Sequence, residues 1–321
     1  MTLSIIVAIF NVESYLRQCL DSIFDGTADK TQFEVILVND GSQDGASLIL
    51  EDYRQRFGNC IVIEQENQGL SATRMNGLAQ ARGEYIWFVD GDDWLEPNAV
   101  DSVFKLIHDH HGFSVFVMPI RKYDELNESF VVDYLIDHPI VSDGWDLLRS
   151  HFPAWYVSRY VISKSMFDHP SLFFPMGLLH EDAYFGPVLL ALAGTKYVSN
   201  LPLYHYRSRP GSISHTITIR SSFDLVSIYT LLQTFAKTLE KPKQRVFLEF
   251  SQFILNLSYK INESIWGTLA FRRFMQRKTP YLISELFRNF HCYSFKDWVG
   301  MLLLFVNPTL YRKIFPAKQP S

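Results

Sequence analysis

The chain has 321 residues, 30 basic and 34 acidic, for a formal net charge of −4. With 47% hydrophobic and 20% charged residues it has the composition of a globular protein, which excludes a disordered chain. Its length predicts one large domain, or one domain with an extension, and a sizeable core.

The first 120 residues alternate between two patterns. Residues 4–10 form a short apolar run rich in Ile and Val, as expected of a buried strand. Residues 15–24 carry Leu16, Cys19, Leu20, Ile23 and Phe24 at helical spacing. A second strand is predicted over 33–39, closed by Asp40-Gly41, then a helix over 46–57 and a third strand over 60–63. A helix follows over 71–81, with Ser71 as its expected cap and Gly83 as its stop. A fourth strand over 85–89 runs into Asp90-Gly91-Asp92-Asp93. Pro97 opens a helix to about residue 110, and residues 114–119 read as a fifth strand. Such alternation implies an α/β, doubly wound, mainly parallel sheet with helices on both faces. Ligands in these sheets bind beyond the carboxyl ends of the strands. Residues 121–220 are less regular, with a helix over 181–193 and a loop from Tyr204 to Ser214. Residues 221–321 read as mostly helical, with a break at Pro242.

Cys19, Cys60 and Cys292 show no CxxC spacing, which argues against a disulfide framework or a zinc knot and predicts a reducing compartment. The first residues carry no basic leader or cleavage site, so secretion is not expected. The apolar run at 298–306 is about half of the ~20 residues a spanning helix needs. Residues 1–220 hold 16 basic and 28 acidic side chains, net −12, and residues 221–321 hold 14 and 6, net +8. An acidic body argues against nucleic-acid binding. The basic end, with Arg272-Arg273, Arg277-Lys278 and Arg312-Lys313, fits either an anionic membrane surface or a helical cap on the body.

Five segments carry candidate chemistry. Three carboxylates in Asp90-Gly91-Asp92-Asp93 repel one another, and a hard cation offsets this by taking carboxylate and substrate phosphate oxygens together. A solvated turn is the bland alternative. Asp40, after the second strand, can accept a bond from a base imide or simply make a turn. Arg74, in the first turn of its helix, can meet a phosphate or an acidic loop. In His180-Glu181-Asp182 two carboxylates at a helix start could supply a general base, and the helix N-terminus favours the ionised form. Arg207 and Arg209, one residue apart, can grip a pyrophosphate.

Taken in order, the segments Ile5–Glu13, Val38–Asp44, Asn67–Arg74, Tyr85–Asp93, His180–Asp182 and Tyr206–Ser214 resemble a family-2 glycosyltransferase with a GT-A fold, of the kind that builds bacterial surface polysaccharides. The resemblance covers about residues 1–215. It implies a catalytic domain over 1–220, with a nucleotide-binding half (1–120) and an acceptor-side half (121–220), and a helical, basic extension over 221–321. Phe10, Asn11 and Glu13 would then lie around the base and ribose, and Asp40 would bond a uracil. Arg74 would hold the loops around the diphosphate. Asp90 would meet ribose or metal beside Gly91, and Asp92 would bind Mn²⁺ or Mg²⁺. Asp182 would deprotonate the acceptor, and Arg207 and Arg209 would reach the diphosphate.

The implied reaction is inverting transfer from a nucleotide-diphosphate sugar, such as a UDP-sugar, to a saccharide or lipid-linked acceptor. The implied location is cytoplasmic, at or near the inner face of the membrane. The chain departs from the family pattern at Ala8, Phe10, Gln68 and Met75. None of these removes a metal or acid–base residue. A nucleotidyltransferase would want a Gly-rich basic loop where Asn11-Val12-Glu13-Ser14 stands, and a dinucleotide oxidoreductase would want GxGxxG. The remaining alternative is a non-catalytic sugar-nucleotide-binding subunit of a polysaccharide assembly.

Overall fold

A computed structural model describes residues 1–134, 138–150, 153–209, 212 and 218–260. The basic clusters after residue 270, the apolar run at 298–306 and Cys292 lie outside the described residues. The chain divides into two compact units, Met1–His215 and Thr216–Ser321.

The first unit is built on an eight-stranded sheet. Its centre is β1 (Leu3–Ile9), flanked by β2 (Phe33–Asn39) and β4 (Tyr85–Asp90), with β3 (Cys60–Glu64) beyond β2. These four strands run parallel. β1 and β2 are buried along their whole length, which is why both read as continuous apolar runs. Side chains of β1 alternate between two cores. Leu3, Ile5, Val7 and Ile9 pack with Leu16, Leu20 and Ile23 of α1 (Glu13–Phe24), with Ile49 and Leu50 of α2 (Ala46–Arg56), and with Val100 and Val103 of α4 (Ala99–Asp109). Ile6 points the other way, toward α3 (Leu70–Gln80), where Gly77 lets the helix approach. A Cβ there would stand 2.4 Å from Ile6 Cγ2. Helices therefore cover both faces, as expected of a doubly wound sheet.

The sheet departs from simple alternation beyond β4. The fifth predicted strand shortens to β6 (Val115–Val117), and it does not pair with β4. β10 (Tyr160–Ser163) enters between them, antiparallel to both. β11 (Lys196–Val198) and β9 (Ile140–Ser142) complete that side. A smaller sheet orders β5 (Trp94–Leu95), β12 (Tyr204–Ser208), β7 (Ile120–Asp124) and β8 (Ser129–Val132). It presents residues 204–208 to the turn that follows β4, through the pairing of His205 with Trp94.

Two predicted helix boundaries are corrected. α3 is capped at Gly69, whose φ of 86° suits glycine, and Ser71 lies inside the helix, donating instead to Pro175 O at 2.8 Å. The helix stops at Ala81. Gly83 serves a different need, since a Cβ there would stand 2.5 Å from Ser4 N. After α5 (Trp145–Arg149), α6 (Asp182–Leu192) supplies the last helix of this unit. The second unit contains α7 (Ile219–Ala236) and α8 (Lys241–Lys260), with Pro242 in the first turn of α8, where a missing N–H costs nothing. Gln233 Nε2 donates to Ser251 Oγ at 2.9 Å between these two helices. No described helix is long and apolar enough to cross a membrane.

Candidate active site

The loops after β1, β2, β3 and β4 meet at the carboxyl edge of the sheet. Asn11, in the left-handed region at φ 51°, donates its amide to Ser42 Oγ at 3.0 Å and accepts from Gln43 N at 2.8 Å through Oδ1. Glu13 accepts from Gly45 N at 2.8 Å, and its own amide donates to Asp44 at 2.9 Å. Asn11 and Glu13 thus act as ties between the first two loops. Phe10 differs from them in keeping its ring 46% exposed, open to a stacking partner.

Asp40 is buried. Its carboxylate accepts from Gln65 Nε2 at 2.7 Å, Gln68 N at 2.8 Å and Gly69 N at 2.8 Å. Three of its roughly four acceptor positions therefore brace the loop before α3. Beside it, Gly41, Gln43, Glu64, Gln65, Glu66 and Asn67 line an open pocket at the β2–β3 edge.

Arg74 is the hub of the site. It is the fifth residue of α3, at the start of the second turn, with its side chain only 4% exposed. One end pairs with Asp90 Oδ1 at 2.9 Å and the other with Glu181, while the guanidinium lies over Phe174 at 5.4 Å. Burial works against its charge, but Asp90, Glu181 and Asp182 outweigh that and hold its pKa above the ordinary value. One guanidinium thereby joins the acidic turn after β4 to the start of α6. His180, at φ 63°, turns the chain into that start.

Asp182 is the first residue of α6 and is half-buried. The helix N-terminus does not keep its pKa low, contrary to the expectation from its position. Burial, then Glu181 and Asp90, push it well above the usual carboxylate range, opposed by Arg74 and the Ala183 amide. A carboxyl poised in this way is suited to hold a proton and to give it up as opposing charge enters.

The three carboxylates of the acidic turn have different surroundings. Asp93 is fully buried. It accepts from Tyr204 Oη at 2.5 Å and Arg207 N at 2.7 Å, and the Asp90 amide donates to the same Tyr204 oxygen at 3.1 Å. Burial, then Asp92 and Asp90, raise its pKa well above the ordinary value. Asp93 holds the turn and does not face a ligand. Gly91 tucks under β1, its amide donating to Ala8 O at 2.9 Å, and a Cβ there would lie 3.0 Å from that same oxygen. Asp92 faces outward. Arg209 binds its Oδ2 through Nε at 2.9 Å and Nη2 at 2.8 Å, while burial, then Asp90, raise its pKa.

Among the described residues no group of three or more His, Cys, Asp or Glu can hold a metal by itself. The donor set would suit Mn²⁺ or Mg²⁺ only as a site shared with substrate: among the described residues no arginine binds Asp90 Oδ2 or Asp92 Oδ1, and such ions are commonly held by one or two carboxylates plus substrate phosphates.

Arg207 is placed differently from its expected role. It is buried, with Nε on Asp92 O at 2.9 Å, Nη2 on Gln18 at 2.6 Å and Nη1 on Glu125 at 3.4 Å. It also lies over the rings of Trp94 at 4.5 Å and Tyr15 at 4.8 Å. Its guanidinium supports the acidic turn from within the protein, so of the two arginines only Arg209 reaches the open side. Glu181 has no expected role beyond its motif, and Asp93, Tyr204, Tyr15, Trp94 and Gln18 have none from sequence. Of these, Glu181 and Asp93 lie within motifs already singled out, and Tyr204 opens the loop from Tyr204 to Ser214.

The family model for glycosyl transferase family 2 matches residues 4–169. Glycosyltransferase GlyA of Streptococcus pneumoniae serotype 4 is 32% identical over 253 residues, 74% of this chain and 36% of that protein. EpsH of Bacillus subtilis is 33% identical over 65% of this chain and 62% of its own length. The chain thus spans between about a third and two thirds of these relatives. Its fold matches a crystal structure of Staphylococcus aureus TarS 1-349 in complex with UDP-GlcNAc with a TM-score of 0.74 at 19% identity, covering 95% of this chain and 91% of that one. The ordered motifs, the sheet with its carboxylates at the strand ends and the match over more than half of its length agree: the chain belongs to glycosyl transferase family 2.

Proposed function

We propose that the protein is an inverting glycosyltransferase. It moves a sugar from a nucleotide-diphosphate donor, a UDP-sugar by preference, to a hydroxyl of a saccharide or lipid-linked acceptor in surface-polysaccharide synthesis. The observation that carries this reading is Arg74, buried between Asp90 and Glu181-Asp182, which ties a donor-side carboxylate to a candidate base. The open pocket at the β2–β3 edge and the exposed Phe10 ring suit a nucleobase, and Asp40 keeps one acceptor position for it. The likeness to TarS, whose crystal structure carries UDP-GlcNAc, supports a uridine donor.

In this reading the acceptor oxygen bonds to the anomeric carbon from the face opposite the leaving group, and its proton passes to Asp182. The bond between the anomeric carbon and the diphosphate oxygen breaks, and the nucleoside diphosphate leaves with that electron pair. Single displacement inverts the anomeric configuration. The transition state has oxocarbenium character, so a carboxylate beside it also stabilises developing positive charge. Asp90 and Asp92 would hold Mn²⁺ or Mg²⁺ with the diphosphate, which supplies charge neutralisation to the leaving group. Arg209 adds positive charge from the protein itself. The reading places this transfer on the cytoplasmic side, where the basic residues after 270 would bring the enzyme to an anionic leaflet.

The test is a panel of nucleotide sugars scored by thermal shift with and without Mn²⁺, followed by transfer assays with and without EDTA. A UDP-sugar should raise the melting temperature most, and transfer should stop with EDTA. Stabilisation by UDP with no turnover of any donor would favour the non-catalytic subunit instead.

A further inference from the structure

Arg207 lies in β12 and Arg209 just past its end, and both guanidinium groups meet one ring. Tyr15 lies 4.8 Å from the Arg207 Cζ and 4.9 Å from the Arg209 Cζ, measured to the ring centroid. The two arginines are held very differently. Arg207 is over-determined by Asp92 O, Gln18, Glu125 and the rings of Trp94 and Tyr123. Among the described residues Arg209 has one carboxylate, Asp92, and one ring, Tyr15. Its side chain is 18% exposed against 8% for Arg207. Tyr15 is fixed in the first turn of α1, its amide donating to Val12 O at 2.9 Å, with its ring packed against the core. Its hydroxyl makes no hydrogen bond to the described residues, so the ring face is what it contributes.

We infer that Tyr15 is a positioning residue that holds Arg209 for the donor diphosphate; this rests on the donor reading above. The Asp92–Arg209 pair cannot do that alone. When an anionic donor arrives, Arg209 gains competing acceptors, and its bonds to Asp92 exchange for bonds to phosphate oxygens. The attraction of a guanidinium to an aromatic face does not depend on what its N–H edge binds. The ring contact therefore persists through the exchange, and Arg207, pinned on the same ring, keeps the ring from turning with it. Arg209 changes partner without losing its place.

The experiment titrates the full-length protein with UDP and with uridine, which lacks the diphosphate. Tyr15→Leu is expected to weaken UDP binding roughly 5- to 30-fold, the range of a partly desolvated cation–π contact. Uridine affinity should stay within about twofold, because the base pocket is untouched. Tyr15→Phe, which keeps the ring, should restore UDP affinity. In an Arg209→Gln background, Tyr15→Leu should add less than about twofold, since the contact it removes is already gone. Equal weakening of UDP and uridine, or losses from the two substitutions that multiply, would overturn the inference while leaving the donor reading in place. Absence of UDP binding in the wild type would remove the donor reading and the inference with it. Should Tyr15→Leu lose its fold, Tyr15→Met keeps volume without a ring and carries the same test.

Discussion

Replacing Arg74 with Met removes one cation from among three carboxylates. Its side chain is 4% exposed, Glu181 is 7% exposed and Asp90 is 31% exposed, so at least one of the broken pairs is fully desolvated. Breaking a buried pair from one side costs about 3–5 kcal/mol, because the partner stays buried and charged. At roughly 2–4 °C per kcal/mol for a unit of this size, the melting temperature should fall by roughly 6–20 °C at pH 7. The loss should also depend on pH in a definite direction. Burial, Glu181 and Asp90 already hold the Asp182 carboxyl well above its unfolded value of about 4, and loss of the opposing Arg74 charge raises it further. A raised carboxylate pKa penalises the folded state fully above the folded value, and the penalty disappears as pH falls toward the unfolded one. Thermal melts of wild type and Arg74→Met from pH 7.5 down to about pH 4.5 should therefore converge. Adding Glu181→Gln should recover part of the loss at pH 7. A deficit that is constant across pH, or below about 1 kcal/mol at neutrality, would refute the view of Arg74 as the charged hub.

Three further outcomes follow from the same site. Because burial and Glu181 raise the Asp182 pKa, the acid limb of kcat/KM should lie above the ordinary carboxylate range, and Glu181→Gln should move it down in a pH–rate profile. Tyr204→Phe takes one of two donors from the buried Asp93 carboxylate and should cost about 1–3 kcal/mol in denaturant unfolding. Gly91→Ala pushes a methyl to 3.0 Å from Ala8 O, which should misplace Asp90 and Asp92 and cut activity at least tenfold while the fold persists by circular dichroism.

The strands β1, β2 and β4 are legible because burial on both faces writes an uninterrupted apolar run, while the half-buried β3 is marked by its place in the alternation with helices. β10 was not legible, since its place between β4 and β6 is decided by pairings roughly 75 and 45 residues away in sequence, which no local pattern encodes. The start of α3 is hidden from the local sequence for a related reason. Ser71 is the local capping candidate, but a distant carboxylate, Asp40, takes the amides of Gln68 and Gly69 and sets the loop ahead of the helix. In the site, the acidic turn and Glu181-Asp182 stood out by composition. Their division of labour did not. Asp93 and Arg207 carry the same charges as Asp92 and Arg209, and only the packing of Tyr204, Trp94 and Tyr15 around them shows which of each pair is the more deeply buried.

The central claim is that Asp182 takes the acceptor proton in a sugar transfer whose donor is held elsewhere in the site. It is tested most directly by comparing wild type and Asp182→Asn for UDP binding and for turnover of the preferred UDP-sugar. UDP affinity is expected within about threefold of wild type and turnover lower by at least ~100-fold, the scale of a lost general base. Turnover that survives in Asp182→Asn would contradict it.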